Sequence, residues 1–167
     1  MSLIVSDTGP LHYLILCEAI DVLPKLYGRL IIPPAVVQEL THPHTPPSVS
    51  GWAAAPPQQW ASVQVPSQSL ASTGLGFGER EAIALALELD TTFLLVDDRV
   101  ARGIAGQKGL LTIGTVGVLE QAAASGFLDL PEVMPKLLNT NFRIDAEVVR
   151  AVLNRNAARF KTIGESK

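Results

Sequence analysis

An amphipathic helical stretch that leads into a short apolar run constrains the fold of this chain most strongly. In residues 78–89 the apolar side chains recur with helical spacing, and Glu79 falls on the same face. Residues 93–96 are continuously apolar, which is typical of a strand buried on both faces of a parallel sheet. Asp97 and Asp98 follow this strand. Ligands of open α/β sheets bind at the carboxyl ends of strands, so both acids are candidate functional residues.

Strand and helix patterns alternate along the whole chain. Apolar runs predict strands at residues 3–6, 30–32, 62–65, 93–96 and 110–113. Helical spacing occurs at residues 11–19, 22–27, 36–40, 49–55, 79–89, 100–107 and 116–124, and two C-terminal helices are expected at about 131–160. The alternation favours a three-layer α/β/α sandwich with a central, mainly parallel sheet. We expect a single domain over residues 1–167.

Composition and charge narrow the functional classes. The single cysteine, Cys17, excludes an internal disulfide, and the start of the chain lacks the pattern of a signal peptide. No apolar run approaches the roughly 20 residues of a membrane span, so we expect a soluble cytoplasmic protein. The net charge of −3 argues against bulk electrostatic binding of nucleic acid. From Arg143 onward, six basic residues against three acidic ones indicate either a phosphate-binding edge or a solvated helix face.

Acids recur at the expected carboxyl edge of the sheet. Asp7 follows the first strand, and Glu39 borders the apolar face of a helix that starts near Pro33. Two carboxylates about 4 Å apart repel each other by roughly 4 kcal/mol at an effective dielectric constant of 20. A cluster formed with Glu79 and Asp97 would therefore take up protons or a cation. Oxygen ligands suit Mg²⁺ or Mn²⁺, which can activate water for phosphodiester hydrolysis.

Each acid also has a simpler explanation. Asp7 and Asp98 could cap helices, and Glu39 could be a solvated helix residue. Glu79 could interact with the dipole of a helix start. Glu81 and Glu88, which lie off the apolar face, are expected to be ordinary surface acids.

Five sequence segments together resemble the PIN-domain family, and most closely its toxin-like branch in prokaryotic toxin–antitoxin modules. They are Asp7-Thr8 after a strand, Pro34-x-x-Val37-x-Glu39-Leu40, Gly78-Glu79-x-Glu81-Ala82-Ile83, Leu94-Leu95-x-Asp97-Asp98 and Gly114-Thr115-x-Gly117-Val118-Leu119. The resemblance covers nearly the whole chain. It implies a PIN-like α/β fold and a Mg²⁺- or Mn²⁺-dependent endoribonuclease that is often dimeric and is inhibited by a cognate antitoxin.

The resemblance also implies roles for particular residues. Asp7, Glu39, Glu79 and Asp97 match the catalytic, metal-binding acids of the family, and Asp98 is an additional metal-binding candidate. Thr8 matches the small hydroxyl residue that follows the first acid, and we expect it to contact the substrate. Many PIN toxins have aspartate where this chain has Glu79, whose longer side chain would shift a second metal position.

Substrate contacts are expected near these acids. Arg99 and Arg102 follow the acidic strand end, where they would contact RNA phosphates or balance the negative charge. The glycine-rich segment Thr73 to Gly78 would gate the cleft, and the basic C-terminal helix would assist RNA binding.

Other interpretations fit the sequence less well. Asp7-Thr8-Gly9 matches the aspartic protease triplet, but the helical periodicity of this chain disagrees with an all-β protease. Glu39-x-x-His42 lacks the second copy that a di-iron site needs. His42 and His44 lie in a proline-rich loop and are expected to be surface residues rather than zinc ligands. The alternatives that remain are a catalytically inactive PIN-like binding or regulatory module and a Mg²⁺-dependent phosphoacceptor domain.

Overall fold

The computed structural model describes residues 2–71 and 74–165, with side chains up to residue 161. Within these residues, five strands form one sheet whose neighbouring pairs are all parallel. The strands are β1 (Ser2–Ser6), β2 (Gly28–Ile32), β3 (Ala61–Val63), β4 (Phe93–Leu95) and β5 (Thr112–Ile113). Their order across the sheet is β3-β2-β1-β4-β5. The predicted α/β class with a parallel sheet is confirmed.

Helices connect the strands and extend the chain beyond the sheet. In the described ranges they are α1 (Thr8–Leu16), α2 (Val22–Tyr27), α3 (Pro34–Leu40), α4 (Pro47–Ala54), α5 (Phe77–Leu89), α6 (Arg99–Gln107), α7 (Thr115–Ala124), α8 (Leu130–Leu138) and α9 (Ala146–Glu165). The two C-terminal helices are therefore present, and α9 extends beyond its predicted end. None of the helices in the described ranges is both long and apolar enough to cross a bilayer.

The sheet is buried on both faces. Ile4 and Leu95 point into one apolar cluster, which is built with α1, α2, α4, α7 and α8. Val5 and Leu94, their immediate neighbours in the chain, point into a second cluster formed with α5 and α6. Because successive strand side chains face opposite sides, the two clusters lie on opposite faces of the sheet. The continuous apolar run of β4 is therefore explained, as predicted, by burial on both faces of the sheet.

Two predicted strand boundaries differ from the structure. The strand expected at residues 110–113 begins only at Thr112, because the Leu110 N–H donates to the Ala105 carbonyl at the end of α6. The strand expected at residues 62–65 starts at Ala61 and ends at Val63. Val65 is 69% exposed, so it no longer contributes to the buried sheet.

The first helix also begins earlier than predicted. The spacing favoured residues 11–19, whereas α1 starts at Thr8 and ends at Leu16. Asp7 occupies the N-cap position, but its side chain makes no capping hydrogen bond. Pro10 lies within the first turn, where its missing N–H needs no intrahelical partner. The Asp7 carboxylate is therefore left free for another role.

Truncation of a β4 side chain is expected to destabilise the protein strongly. Leu95 is completely buried, so Leu95→Ala should lower the free energy of unfolding by about 2–5 kcal/mol through lost burial and a residual cavity. Leu111→Ala is the matched control, because Leu111 is 64% exposed and its loss should cost no more than about 0.5 kcal/mol. Urea denaturation followed by circular dichroism measures both values. Equal destabilisation by the two variants would contradict the assignment of β4 to the core.

Candidate active site

The carboxyl ends of β1 and β4 lie side by side and present one acid each. The Asp7 N–H donates to the Leu95 carbonyl at 2.8 Å, which continues the ladder between these strands. The Val96 N–H donates to the Ile113 carbonyl at 3.0 Å on the other side of β4. Chain order reverses between β1 and β4, since β2 and β3 extend the sheet on one side and β5 on the other. Asp7 and Asp97 therefore flank a topological switch point, where α/β proteins bind ligands.

All five acids predicted from the sequence line one cavity. It has a volume of about 310 Å³ and is called the acidic cavity below; its walls include Asp7, Glu39, Glu79, Asp97 and Asp98. Thr8, Gly9, Tyr13 and Gly76 complete the lining. Five elements contribute to this site, namely the ends of β1 and β4 and the helices α1, α3 and α5, and its members are far apart in the sequence.

Asp7 is the most deeply buried of these acids. Only 7% of the residue is exposed, and its Oδ1 atom has no hydrogen-bond partner in the described part of the chain. Burial, helped by the negative charges of Glu79, Glu39 and Asp97, raises the pKa of Asp7 to about 7, although a hydrogen bond from the Thr8 backbone opposes the rise. An unpartnered buried carboxylate oxygen is unfavourable unless a proton or a cation binds it.

Asp97 is held in one orientation by the start of α7. The Thr115 N–H donates to Oδ1 at 2.7 Å, and the Thr115 hydroxyl donates to Oδ2 at 2.6 Å. Burial raises the pKa of Asp97, while these hydrogen bonds and the positive charge of Arg102 oppose the rise. A Cβ atom on Gly114 would lie 2.8 Å from Oδ1, so only glycine leaves room for this carboxylate. Thr115 was not predicted to be a site residue. Its position shortly after the end of a strand could have indicated this role.

Glu39 accepts hydrogen bonds from the first turns of α1 and α5. The Gly78 N–H donates to its Oε1 at 3.0 Å, and the Thr8 hydroxyl donates to its Oε2 in a short hydrogen bond. The residue is exposed overall, but its carboxylate is not simply solvated. A Cβ atom on Gly78 would come within 2.7 Å of Oε2, so the close approach requires glycine. Thr8, predicted to contact substrate, thus orients Glu39 in this structure.

Glu79 combines a helix-start role with a position in the cavity. Its Oε2 accepts from the Gly76 N–H at 3.1 Å, which is a capping hydrogen bond at the helix start where the simpler explanation had placed only an interaction with the dipole. Burial raises the pKa of Glu79, and the charges of Asp98 and Glu39 add to this effect. Leu75, just before this turn, packs into the apolar cluster under α5. Thr73, the start of the predicted gating segment, lies outside the described residues.

Asp98 caps α6, as its simpler explanation predicted. Its Oδ2 accepts from the Ala101 N–H at 2.9 Å, and the residue is exposed at the rim of the acidic cavity. One carboxylate oxygen is therefore used in capping, while the residue still lines the acidic cavity.

Two other acids differ from expectation. Glu81, predicted to be an ordinary surface acid, accepts from the Ala35 N–H at 2.8 Å and is only partly exposed. This contact satisfies an amide at the start of α3, where Pro33 provides no capping side chain. Glu88 is exposed as predicted, yet it accepts from the Ser67 N–H at 2.7 Å. Glu81 therefore joins α5 to the helix that carries Glu39.

The donor chemistry of the acidic cavity fits a hard divalent cation, although the side chains do not yet converge on one point. Within residues 2–71 and 74–165, no group of three or more His, Cys, Asp or Glu side chains is arranged to hold a metal ion. The carboxylates of Glu39, Glu79 and Asp97 are instead directed toward neighbouring N–H and O–H groups. The free Oδ1 of Asp7 and the all-oxygen donor set still match the preferences of such a cation.

A larger cavity continues from the acidic one. It measures about 1010 Å³ and contains Arg99, Arg102 and Arg143, and we call it the arginine groove. Tyr13, Asp97 and Asp98 line both cavities. The two arginines predicted to contact substrate are thus placed beside the acids. Arg143 was predicted only as the start of a basic C-terminal segment, and Tyr13 was not predicted at all, because nothing local in the sequence links α1 to the loop before α9.

Comparison with known proteins identifies the family. The family model described as a PIN domain matches residues 3–157, so the chain belongs to the PIN-domain family. Its structure is similar to that of a PilT N-terminus domain protein from the hyperthermophilic archaeon Sulfolobus solfataricus, with a TM-score of 0.50 and 17% identity. That match covers 86% of this chain and 99% of the other and supports the fold. No curated protein matches this chain. PIN domains are generally nucleases that use a divalent metal.

The ionisation of Asp7 should lower the stability of the metal-free protein. Its pKa is about 7 in the folded state against 3.8 for an ordinary aspartate, so the folded state binds more protons between these values. Stability therefore falls as the pH rises through this window. In EDTA at pH 8, Asp7→Asn should be more stable than wild type by on the order of 1–3 kcal/mol, and the gap should shrink toward pH 4. Thermal unfolding across this pH range measures it; a less stable variant at pH 8 would refute the assignment.

Proposed function

We propose that this PIN-domain protein is an endoribonuclease that depends on Mg²⁺ or Mn²⁺ and hydrolyses RNA phosphodiester bonds. One observation carries the proposal: Asp7, Glu39, Glu79 and Asp97 line a single cavity, and the buried Oδ1 of Asp7 has no partner among the described residues. Four carboxylates in one small cavity are tolerable only when protons or cations compensate their charge.

The metal site would be built mainly on Asp7 and Asp97. Both are largely buried on adjacent strand ends, so they need little movement to bind. Glu39 and Glu79 would complete the site by giving up hydrogen bonds to Gly78 and Gly76. When bound there, a divalent ion supplies an activated water and neutralises charge on the phosphate. Asp98, at the rim, would assist through its free oxygen.

The residues around the acids would orient the substrate. Thr115 keeps Asp97 fixed by two hydrogen bonds, so the carboxylate would not reorient during the reaction. Arg102 lies close enough to Asp97 to lower its pKa, and it faces the groove next to the acids. Arg99 and Arg102 would bind phosphates that flank the cleaved bond.

The biological setting is proposed from the sequence resemblance to the toxin-like PIN branch. The protein would act in the cytoplasm as the toxin of a toxin–antitoxin module, with a cognate antitoxin as its inhibitor and a homodimer as its assembly. The charge distribution supports RNA as the substrate, because three arginines line the groove next to the acidic cavity. A phosphoacceptor role is less well supported, since Lys108 lies at the far end of α6 from the acids.

Loss of a central carboxylate should abolish cleavage. With Mn²⁺ present, Asp97→Asn should cleave single-stranded RNA at least about 100-fold more slowly than wild type. Losses of this size are typical when a residue that supports a metal site is replaced. EDTA should stop the wild-type reaction. Asp90→Asn is the matched control, because Asp90 is exposed at the end of α5 and asparagine also tolerates its left-handed backbone. Gel electrophoresis of labelled RNA follows all three proteins.

A second candidate function is that of a catalytically inactive PIN-like binding module, which would not cleave RNA. It is favoured by the absence, within the described residues, of an acid group already arranged around a metal. In that case wild type and Asp97→Asn would both fail to cleave RNA, and EDTA would change nothing.

Arg99 should contribute to substrate binding rather than to the chemical step. Arg99→Ala should raise KM about tenfold with little change in kcat, because a charge-assisted phosphate contact contributes roughly 1.5–3 kcal/mol. Lys108→Ala is the control: it removes an exposed positive charge from the other end of the same helix. Steady-state kinetics at two salt concentrations compare the variants. A fall in kcat at constant KM would contradict this role.

A further inference from the structure

A third cavity adjoins the acidic one. It measures about 620 Å³, and His12, His42 and His44, the only histidines in the sequence, all line it. We call it the histidine groove. Glu39 lines both this groove and the acidic cavity, and Asn141 lines both this groove and the arginine groove. The three cavities therefore form one connected surface around the carboxyl edge of the sheet.

The rings of His42 and His44 are held close to each other at this surface. Their centroids are 5.2 Å apart with an angle of 36° between the ring planes. The His44 N–H donates to His42 Nδ1 at 3.1 Å, and the Thr45 N–H donates to the His42 carbonyl at 2.9 Å. Pro43 between them restricts the backbone. The loop thus presents two exposed rings in a fixed arrangement.

The two rings are accessible to a ligand in the groove. His42 Nδ1 already accepts a hydrogen bond, so that nitrogen is not available to a metal ion. Both residues are exposed, and both line the groove beside the acidic cavity. Flat aromatic faces in a groove next to phosphate-binding residues are the elements with which proteins bind single-stranded nucleic acids.

We propose that the histidine groove binds unpaired bases of a single-stranded RNA whose backbone crosses the acidic cavity. This inference rests on the proposed function and names the substrate form of that site. Bases on one side of the cleaved bond stack on His42 and His44, while phosphates on the other side contact the arginine groove. Asn139 and Asn141, at the wall of the histidine groove, offer amide groups to base edges.

The same geometry disfavours a duplex. Stacking on a protein ring requires a base that has left its neighbours, and bases inside an RNA helix are already stacked and paired. The groove also carries no lysine or arginine among its lining residues, so it offers little to a duplex backbone. Preference for unpaired RNA follows from these two facts.

The test replaces both exposed rings. The double variant His42→Ala/His44→Ala should raise KM for a single-stranded oligoribonucleotide about tenfold at unchanged kcat, since stacking contributes substantially to each base bound. His42→Phe/His44→Phe keeps the ring faces without their nitrogens and should restore KM to within about twofold of wild type. Phe127→Ala is the control: it removes an exposed ring beyond the C-terminal end of α7 that does not line the histidine groove.

Binding is measured separately from cleavage. In the Asp7→Asn background, fluorescence anisotropy with the same labelled oligonucleotide should show an about tenfold loss of affinity for the alanine pair and recovery for the phenylalanine pair. A perfectly paired duplex of the same sequence should bind all variants equally. An unchanged affinity of the alanine pair, or no recovery with phenylalanine, would overturn the proposal. Absence of cleavage by wild type would instead refute the endoribonuclease, and the anisotropy result would still decide the role of the groove.

Discussion

Asp7 is a buried carboxylate that faces three other acids, and the rest of the site depends on how the fold holds it there. Its amide is part of the ladder between β1 and β4, so the backbone that carries the side chain is held at the centre of the sheet. Burial and like charges raise its pKa to about 7. The fold therefore maintains an unfavourable arrangement, which is typical of functional sites and is relieved when a cation binds.

The parallel sheet explains why the acids meet. Strands that run in the same direction end at the same edge, and the reversal of chain order between β1 and β4 opens a crevice there. The neighbouring helices supply the remaining groups: Glu39 from α3, Glu79 from α5 and Thr115 from α7. Glycines at positions 78 and 114 allow the carboxylates of Glu39 and Asp97 to approach the backbone. Sheet topology and local contacts thus produce one acidic cavity from separate parts of the chain.

The sequence predicted the fold well because its signals are local and strong. The apolar run of β4 reflects burial on both faces of the sheet, and the helical spacing of α5 reflects burial of one helix face. Boundaries were less accurate where a single backbone hydrogen bond decides them, as at Leu110. Periodicity also assigned Glu81 to the surface, because it cannot reveal that an uncapped amide of α3 lies opposite.

The sequence predicted the acids of the candidate site together with Thr8, Arg99 and Arg102. Asp7 and Asp97 were found because each follows a strand, Glu39 and Glu79 because each lies at or on the apolar face of a helix, and the PIN resemblance agreed with all four. Residues that support the acids or extend the surface were missed, because their roles depend on tertiary contacts. The role of Thr115 depends on its two hydrogen bonds to Asp97. Tyr13 belongs to the site because it lines a cavity together with the loop before α9.

The central claim is that the acidic cavity is a cation site, and direct titration with Mn²⁺ tests it without any substrate. Isothermal titration calorimetry at pH 8 should give saturable binding to wild type and to Asp90→Asn, and at least about tenfold weaker binding to Asp7→Asn, because a buried ligand is lost. Binding should also release protons as the pH approaches the pKa of Asp7. Equal Mn²⁺ affinity in all three proteins, or no binding to wild type, would contradict the account.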